Sequence, residues 1–311
     1  MFIPEIAKRS PIDWSRHDGL LDHELLHATH LTCIGAGGAA GLVQTLTRCG
    51  IGGWTLGDFD SISATNPATQ AHDVLDAGRA KVAALADRVR RINPDCAVRA
   101  IPKRVSDLDR QEFEDIWSAN MMLAMTDDFH TQSALNRIAV RVKTDAIFAI
   151  AYAGPSTAVE VTGTFSDTIA HGLGCHRCHT KARYDAYESG FQNPATIASH
   201  AAAAEYLNAL LANIILGRLH YRAGSDLPIA DIGRAFSEAP CLISTLMPSL
   251  AVPANADPAH RPAFSLPGIF YALDTPAGFI CPDCGTPGVI ENHPLSGPWT
   301  NPGPGITEER S

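Results

Sequence analysis

Glycines at three closely spaced positions could hold a nucleotide phosphate. Gly35, Gly37 and Gly38 stand between a short apolar run, HLTCIG, and a helical pattern. Glycine lets the backbone approach a phosphate closely, and the N-terminus of a following helix supplies free N–H groups. Asp58 follows Gly35 by 23 residues, at the end of the next apolar run, where a carboxylate can bond a ribose hydroxyl. The pattern predicts a nucleotide site, with NAD and ATP as equal alternatives.

Charged residues further along the chain favour chemistry on a triphosphate. Lys81 opens a long helical pattern, and its ammonium group can neutralise phosphate charge. Asp127 follows the apolar run MMLAM, and a carboxylate at the end of a strand can hold Mg²⁺. An oxidoreductase that uses NAD would leave both residues without a role. They therefore favour ATP and Mg²⁺ over a nicotinamide cofactor.

Two Cys-x-x-Cys pairs could hold a metal ion. Cys175 with Cys178 and Cys281 with Cys284 supply four thiolates, which is the ligand set of tetrahedral structural zinc. The 102 residues between the pairs exceed the ordinary spacing of a zinc ribbon. Spacing alone therefore leaves redox-active or unpaired thiols as the alternative.

The elements that must position these residues alternate between strands and helices over residues 30–155. Helical patterns over about 78–92, 109–117 and 131–142 separate the apolar runs. This order predicts an α/β fold with a doubly wound, mainly parallel, Rossmann-like sheet. Further on, VEVTGTF predicts an antiparallel strand and residues 195–219 a long alanine-rich helix. We expect a C-terminal antiparallel extension that zinc stabilises.

The composition argues against two kinds of partner. The 311 residues include 33 acidic and 24 basic side chains, a net charge of −9, whereas nucleic-acid-binding domains are basic. The most apolar helical stretch, 201–216, contains Glu205, Asn208 and Asn213 and is shorter than the roughly 20 residues of a membrane span. The opening MFIPEIAKRS lacks the apolar core of a signal peptide. We expect a cytoplasmic protein that binds neither nucleic acid nor membrane.

The motifs, taken in order, resemble those of the ThiF/MoeB/HesA family, the adenylating relatives of ubiquitin-activating enzymes. The family pattern comprises a glycine loop, a D-x-D strand end, an Asn-x-x-Arg-Gln segment, a Gly-x-x-Lys helix start, an Asn-Pro and a Thr-Asp-Asn turn. Counterparts of these motifs follow in the same order here, with the strand end at Asp58, the segment at Asn66 and the helix start at Gly78. The resemblance covers about residues 14–155, and the cysteine pairs extend it to 285. It implies adenylation of the C-terminal carboxylate of a ubiquitin-like or sulfur-carrier protein or peptide, with pyrophosphate as the second product.

The resemblance also implies a role for individual residues. Lys81, Asp127 and Arg16 would be catalytic, and Asp127 would bind Mg²⁺. Arg16 would reach the phosphates in the site of a partner subunit, which requires a homodimer; an ordinary surface arginine is the alternative. The four cysteines would form one structural zinc site. The residues that would bind ATP are Gly35, Gly37, Gly38, Asp58, Asp60, Asn66, Arg79, Lys81 and Asp127.

This chain departs from the family pattern at two positions. Thr69 replaces an arginine that contacts phosphate, a loss of about 2–4 kcal/mol of transition-state stabilisation if nothing substitutes for it. Arg79, close to Lys81, could take that role, or the chain could be a weak or inactive adenylating enzyme. Asp128 replaces the asparagine of the turn and could add a second carboxylate near the metal.

A thioester-forming cysteine is a further feature of conjugating family members. Cys241, which we expect in a loop, is the candidate nucleophile here, and adenylation without a thioester is the favoured hypothesis. We expect His72, His130 and His200 to be surface or packing residues. The sequence does not distinguish thiamine or molybdopterin synthesis, conjugation and peptide modification.

The predicted organisation has four parts. They are an N-terminal helical arm over 1–30, an ATP-binding core over 31–155, a substrate-groove and zinc-binding part over 156–285 and a Pro/Gly-rich tail over 286–311. The alternatives to adenylation are an NAD-dependent oxidoreductase and a non-catalytic pseudo-enzyme of the same fold.

Overall fold

A mixed β-sheet runs through the centre of the fold. The computed structural model describes residues 12–152, 158–191, 200–245, 269–270 and 279–287. Within these residues the sheet has eight strands in the order β3-β2-β1-β4-β5-β6-β7-β8. The strands are β1 (His30–Ile34), β2 (Gly53–Gly57), β3 (Ala97–Ile101), β4 (Met121–Ala124), β5 (Asp145–Tyr152), β6 (Ala158–Thr164), β7 (Cys241–Thr245) and β8 (Ile269–Phe270).

Helices connect and cover the strands. None of those in the described ranges is long and apolar enough to cross a membrane. They are α1 (His23–Ala28), α2 (Ala40–Arg48), α3 (Lys81–Ile92), α4 (Arg110–Trp117), α5 (Phe129–Val142), α6 (Ser166–Ala170), α7 (His176–His179), α8 (Lys181–Glu188), α9 (Ala201–Arg222) and α10 (Ile229–Glu238).

The direction of the strands divides the sheet into two halves. Strands β1 to β5 pair in parallel, and β5 to β8 pair antiparallel. The predicted Rossmann-like α/β fold with an antiparallel extension is therefore confirmed. Because β1 lies between β2 and β4, the loop after β1 opens into a crevice at the point where the strand order reverses, the usual ligand position in such sheets.

The central parallel strands β1, β2 and β4 are largely buried, as expected of strands that helices cover on both faces. Every residue of β2 and β4 is buried, and all of β1 except His30 is buried as well. Helix α9 packs on both α2 and α10. At the crossing of α9 and α10, a Cβ on Gly233 would lie 2.1 Å from the carbonyl oxygen of Gly217, so only glycine fits.

Two helix starts differ from the sequence prediction for local reasons. Helix α3 begins at Lys81 rather than near 78, because Gly78 has φ +88° and Ala80 forms a β-bridge with Ser61. Helix α5 begins at Phe129, because the Asp128 carboxylate accepts the Thr131 N–H at 2.7 Å and caps the helix.

The expected loop position of Cys241 was wrong. Cys241 is the first residue of β7 and pairs with Thr162 of β6. The start of the predicted helix at 195, residues 1–11 of the predicted arm and nearly all of the tail lie outside the described residues. The four-part division of the chain stays a prediction.

Candidate active site

A cavity of about 1150 Å³ lies at the carboxyl ends of the parallel strands. Its walls come from the loops after β1, β2, β3 and β4, from β5 and from α9. Eight of the residues implicated by the sequence line it; they are Gly35, Gly37, Gly38, Asp58, Asp60, Asn66, Lys81 and Asp127. The folded chain therefore brings together residues that lie up to 92 positions apart.

The glycine loop requires glycine at its first position. Gly35 has φ +97°, and its N–H donates to the Gly57 carbonyl at 2.8 Å. A Cβ there would lie 2.5 Å from the carbonyl oxygen of Met125. A Cβ on Gly37 would lie 3.1 Å from the side chain of Gln70, whereas nothing lies within 4 Å of a Cβ on Gly38. The loop thus passes close to the chain beneath it and leaves open space at its tip.

Backbone N–H groups orient the Asp58 carboxylate. One oxygen accepts the N–H of Ala36 at 2.7 Å, and the other accepts the N–H of Asp60 at 2.8 Å. Because a carboxylate oxygen has two lone pairs, each oxygen can accept a further bond from a hydroxyl group. The geometry fits the ribose role that the sequence suggested.

Lys81 and Arg79 lie two positions apart but point to different places. The Lys81 ammonium lies 2.9 Å from the Asp60 carboxylate, and its side chain is only 9% exposed. Arg79 forms ion pairs with Asp76 and Asp87 and is absent from the described cavity wall. The structure therefore places Thr69, but not Arg79, on the described cavity wall, which does not support Arg79 as a substitute for the missing arginine.

The turn after β4 presents one available carboxylate. Asp127 lines the cavity and makes no hydrogen bond to any described residue. The carboxylate of Asp128, also on the wall, already caps α5. Gln132 holds the turn from behind by donating to the Thr126 carbonyl at 2.7 Å. Asp127 fits a magnesium ligand better than Asp128 does.

Arg16 is exposed and lies outside the cavity of its own chain. It belongs to a short 3₁₀ turn, Ser15–His17, that aromatic contacts hold in place. The ring centroids of Trp14 and His23 are 5.1 Å apart, and those of His17 and His23 are 5.2 Å apart. A role in a partner subunit's site stays a prediction.

The two cysteine pairs meet in space. All four sulfur atoms lie within 4.8 Å of one another, with Cys175 and Cys281 at 3.8 Å and Cys178 and Cys284 at 3.7 Å. Tetrahedral zinc with Zn–S bonds of about 2.3 Å places its sulfur ligands roughly 3.8 Å apart. The cluster therefore could bind zinc as a closed, structural site.

Polar groups on α5 surround this cluster. The Asn136 amide donates to the Cys175 sulfur at 3.5 Å and to the Asp283 carboxylate at 2.7 Å, and its carbonyl accepts from the Thr164 hydroxyl. Arg177 pairs with the same Asp283. Because α5 begins at the Thr126–Asp128 turn, one helix contacts both the cysteine cluster and the cavity.

Cys241 does not have the environment of a nucleophile. Its side chain is fully buried and lies outside the described cavity wall. Burial raises the pKa of the Cys241 thiol well above its ordinary value, which keeps it protonated. These features argue against a thioester on Cys241.

Sequence reasoning assigned no site role to two residues that support the glycine loop. His72 is buried, and its ring donates to the Ala36 carbonyl at 2.9 Å. Asn208 of α9 donates to the Gly38 carbonyl at 3.0 Å. No sequence motif marks either contact, because each depends on distant elements that meet only in the folded chain. His130 and His200 are exposed, in agreement with a surface position.

The fold and the cavity define an α/β protein with the Rossmann-like architecture of nucleotide-binding proteins. Within that class, the model of the ThiF family matches residues 12–227, and the chain belongs to this family. The match runs from the 3₁₀ turn that carries Arg16 to the end of α9 and the loop after it. It includes the whole parallel half of the sheet.

Two curated relatives share parts of this region. The tRNA threonylcarbamoyladenosine dehydratase of Escherichia coli (strain K12) is 38% identical over 80 residues, which cover 25% of this chain and 30% of that protein. The ubiquitin-like modifier-activating enzyme 5 of Gallus gallus is 28% identical over 148 residues, covering 43% of this chain and 37% of that protein. The matched segments span about a third of the length of these relatives.

Solved structures share the fold over a longer part of the chain. The crystal structure of E. coli MccB superposes with a TM-score of 0.57 at 17% identity, covering 87% of this chain and 69% of that one. The structure of PaaA gives a TM-score of 0.52 at 16% identity, covering 72% and 71%. At these identities the likeness establishes a common fold.

Proposed function

We propose that this protein is an adenylyltransferase that uses ATP to activate the C-terminal carboxylate of a ubiquitin-like or sulfur-carrier protein or of a peptide. The observation that carries the proposal is the cavity of a ThiF-family chain in which the glycine loop, Asp58, Lys81 and Asp127 face one space. A nicotinamide cofactor would leave Lys81 and Asp127 unused. The ATP alternative is therefore favoured over the oxidoreductase.

Catalysis in this proposal depends on positioning and on neutralising charge. Backbone N–H groups at the start of α2 and the ammonium of Lys81 hold the phosphates, while Asp58 holds the ribose. Magnesium, held by Asp127, would neutralise charge on the phosphate oxygens. A carboxylate oxygen of the substrate attacks the α-phosphorus, the bond from that phosphorus to the β-phosphate oxygen breaks, and pyrophosphate leaves with the electron pair.

Uncharged residues of the cavity wall support a carboxylate-bearing chain as the second substrate. They are Ile150 and Ala151 of β5 and Ala204, Leu207 and Leu211 of α9. Such a wall accepts a tail of small or apolar residues better than a charged one, because a buried charge needs a partner. The similarity to ubiquitin-like modifier-activating enzymes and to MccB, solved with ATP and with MccA, supports a protein or peptide substrate.

The remaining elements of the proposal concern assembly and location. A homodimer would let the exposed Arg16 act in the partner subunit's cavity. The net charge of −9 disfavours nucleic acid as the substrate. We place the protein in the cytoplasm, where the cysteine cluster would hold zinc rather than form disulfides.

Thermal unfolding with ATP·Mg²⁺ and with NAD tests the nucleotide directly. A ligand at 100 times its dissociation constant stabilises the folded state by about 2.7 kcal/mol, which a melting curve resolves. We expect stabilisation by ATP·Mg²⁺ alone. Stabilisation by NAD alone would refute the proposal.

Exchange of labelled pyrophosphate into ATP tests the reaction. The probes are synthetic peptides with free C-terminal carboxylates, and the same peptides with C-terminal amides are the matched controls. We expect exchange with free carboxylates and none with amides. ATP binding without exchange in the presence of any peptide or carrier protein would instead support the pseudo-enzyme. In that case a large gain of exchange in Thr69→Arg would show that Thr69 is the cause of the lost activity.

A further inference from the structure

A network of hydrogen bonds lies behind the cavity wall and joins the turn after β4 to helix α8. Gln132 is buried and donates to two carbonyl groups, that of Thr126 at 2.7 Å and that of Ala149 at 3.3 Å. The side-chain carbonyl of Gln132 accepts from the Arg183 guanidinium at 3.0 Å, and Arg183 also pairs with Glu160 of β6. Thr126 and Ala149 line the cavity, whereas the other three residues are absent from its described wall. The network therefore reaches the cavity through backbone groups of the wall.

The Gln132 amide has one orientation that satisfies all of these contacts. Its two N–H donors face two carbonyl oxygens, and its oxygen faces a guanidinium, which can only donate. Turning the amide over would bring its oxygen against the carbonyl oxygens and its N–H groups against the guanidinium. Arg183 therefore fixes the orientation in which Gln132 donates to the turn. The carboxylate of Glu160 compensates the charge of Arg183, as a largely buried charge requires.

The Thr126 carbonyl in turn sets the direction of the backbone at Asp127. In a planar trans peptide the C=O group and the following N–H group point in opposite directions. Because the Thr126 carbonyl points to Gln132, the Asp127 N–H points away from Gln132. On the other side, Asp128 is held through its N–H, which donates to the Thr126 hydroxyl at 3.2 Å, and through its carboxylate, which caps α5. Both neighbours of Asp127 are therefore fixed, while Asp127 itself lines the cavity.

We propose that Gln132 and Arg183 are positioning residues that orient the magnesium ligand Asp127. This inference rests on the proposed function, in which Asp127 holds the Mg²⁺ that accompanies ATP. Groups that orient a metal ligand matter because their replacement typically lowers metal affinity 10- to 100-fold. Arg183 follows Cys178 by five residues, so the network also ties the magnesium turn to the part of the chain that carries the cysteine cluster.

Titration calorimetry of the full, zinc-loaded chain with two probes tests the inference. The probes are ATP with saturating Mg²⁺ and ATP without added divalent metal, both without chelator so that the cysteine cluster keeps its zinc. Gln132→Met fills a similar volume and removes both donors. We expect it to weaken binding of ATP·Mg²⁺ about tenfold and to change binding of metal-free ATP less than twofold. Equal losses with the two probes would overturn the inference, because a generally disturbed cavity affects both.

Ser133→Ala is the matched control. Ser133 is the next residue of α5, is also buried and accepts a hydrogen bond from Arg137 that the replacement removes. We expect less than a twofold change with either probe, and a loss as large as that of Gln132→Met would contradict the positioning role.

Arg183→Lys tests the second member of the network. Lysine keeps a positive charge beside Glu160 but lacks the flat fork that contacts Glu160 and Gln132 together. We expect a selective loss of affinity for ATP·Mg²⁺, smaller than that in Gln132→Met. If Gln132→Met does not fold, this variant supplies the test. Unchanged affinity for ATP·Mg²⁺ in Arg183→Lys would refute the role of the network.

A double variant shows whether Gln132 acts through Asp127. Asp127→Asn removes the charge of the proposed magnesium ligand. Adding Gln132→Met to Asp127→Asn should therefore lower the affinity for ATP·Mg²⁺ less than twofold further, since coupled residues give non-additive losses. Losses that multiply in the double variant would show that Gln132 acts elsewhere.

The same titrations distinguish this inference from the proposed function. The proposed use of ATP·Mg²⁺ fails if the unmodified protein does not bind ATP, if Mg²⁺ makes no difference to that binding, or if Asp127→Asn binds ATP·Mg²⁺ equally well. If Asp127→Asn weakens the binding of ATP·Mg²⁺ and Gln132→Met does not, only the positioning role fails.

Discussion

Replacing Lys81 by methionine should separate nucleotide binding from folding. Methionine preserves most of the buried apolar stem and removes only the ammonium group. That group pairs with Asp60, whose side chain is 47% exposed, so water screens the pair and its loss costs about 0–1 kcal/mol of folding stability. The melting temperature should therefore change by a few degrees at most.

Nucleotide affinity should change far more. A hydrogen bond to a charged group contributes about 1.5–3 kcal/mol, so losing the contact between Lys81 and phosphate raises the dissociation constant of ATP·Mg²⁺ about 10- to 150-fold. The unpaired Asp60 carboxylate, left facing the phosphates, adds repulsion in the same direction. Titration calorimetry with ATP·Mg²⁺ measures the change without any knowledge of the carboxylate substrate.

Arg79→Met is the matched control for this experiment. Arg79 lies two positions away, carries the same charge and is held by Asp76 and Asp87 outside the cavity. We expect its removal to change the dissociation constant less than twofold. Equal losses in both variants, or unchanged binding in Lys81→Met, would refute the assignment of Lys81 to the phosphates.

Three further predictions concern the glycine loop, its supporting histidine and the cysteine cluster. Gly35→Ala should lower the free energy of unfolding in urea by more than about 2 kcal/mol, because it combines φ +97° with a Cβ 2.5 Å from a carbonyl oxygen; Gly38→Ala, whose Cβ meets open space, should not. Burial lowers the pKa of His72 below 6.5, so protons bind the unfolded state first and stability falls as the pH drops below 6.5, by at most about 1.4 kcal/mol per pH unit. His72→Gln should remove that part of the slope in urea titrations at different pH values, and an unchanged slope would contradict it. Asn136→Ala should weaken zinc binding about 10- to 100-fold in competition with a chelator, because it removes the donor to Cys175; unchanged affinity would rule out this support.

The sequence correctly predicted the strands and the turn that depend on residues close to one another in the chain. The runs around Leu31, Leu56 and Leu123 became β1, β2 and β4, because parallel strands that are covered on both faces are apolar at every position. The glycine cluster after the first run was predicted to be a strand-to-helix turn, and Gly35 indeed adopts a conformation that favours glycine. The mainly parallel pairing of the strands followed from the alternation of strands and helices, since parallel neighbours need crossover connections.

Local patterns did not determine which side chains reach the cavity. The sequence offered Arg79 as a substitute for the arginine missing at Thr69, and the structure pairs Arg79 with Asp76 and Asp87 outside the described cavity wall. The sequence also predicted a loop at Cys241, which is in fact the first residue of β7. This five-residue strand is defined by its pairing with β6, and a pattern of neighbouring residues does not show that pairing. Partners that lie elsewhere in the fold decided both cases.

The sequence by itself therefore determined the chemistry that is available: a glycine loop, acidic strand ends, a lysine at a helix start and four thiols. Tertiary structure decided which of these groups share a space. It brought together cysteine pairs that are 102 residues apart and placed His72 and Asn208 against the glycine loop. The physical reason is that propensity and hydrophobic period act over a few neighbouring residues, whereas these contacts form only when the sheet and its covering helices pack.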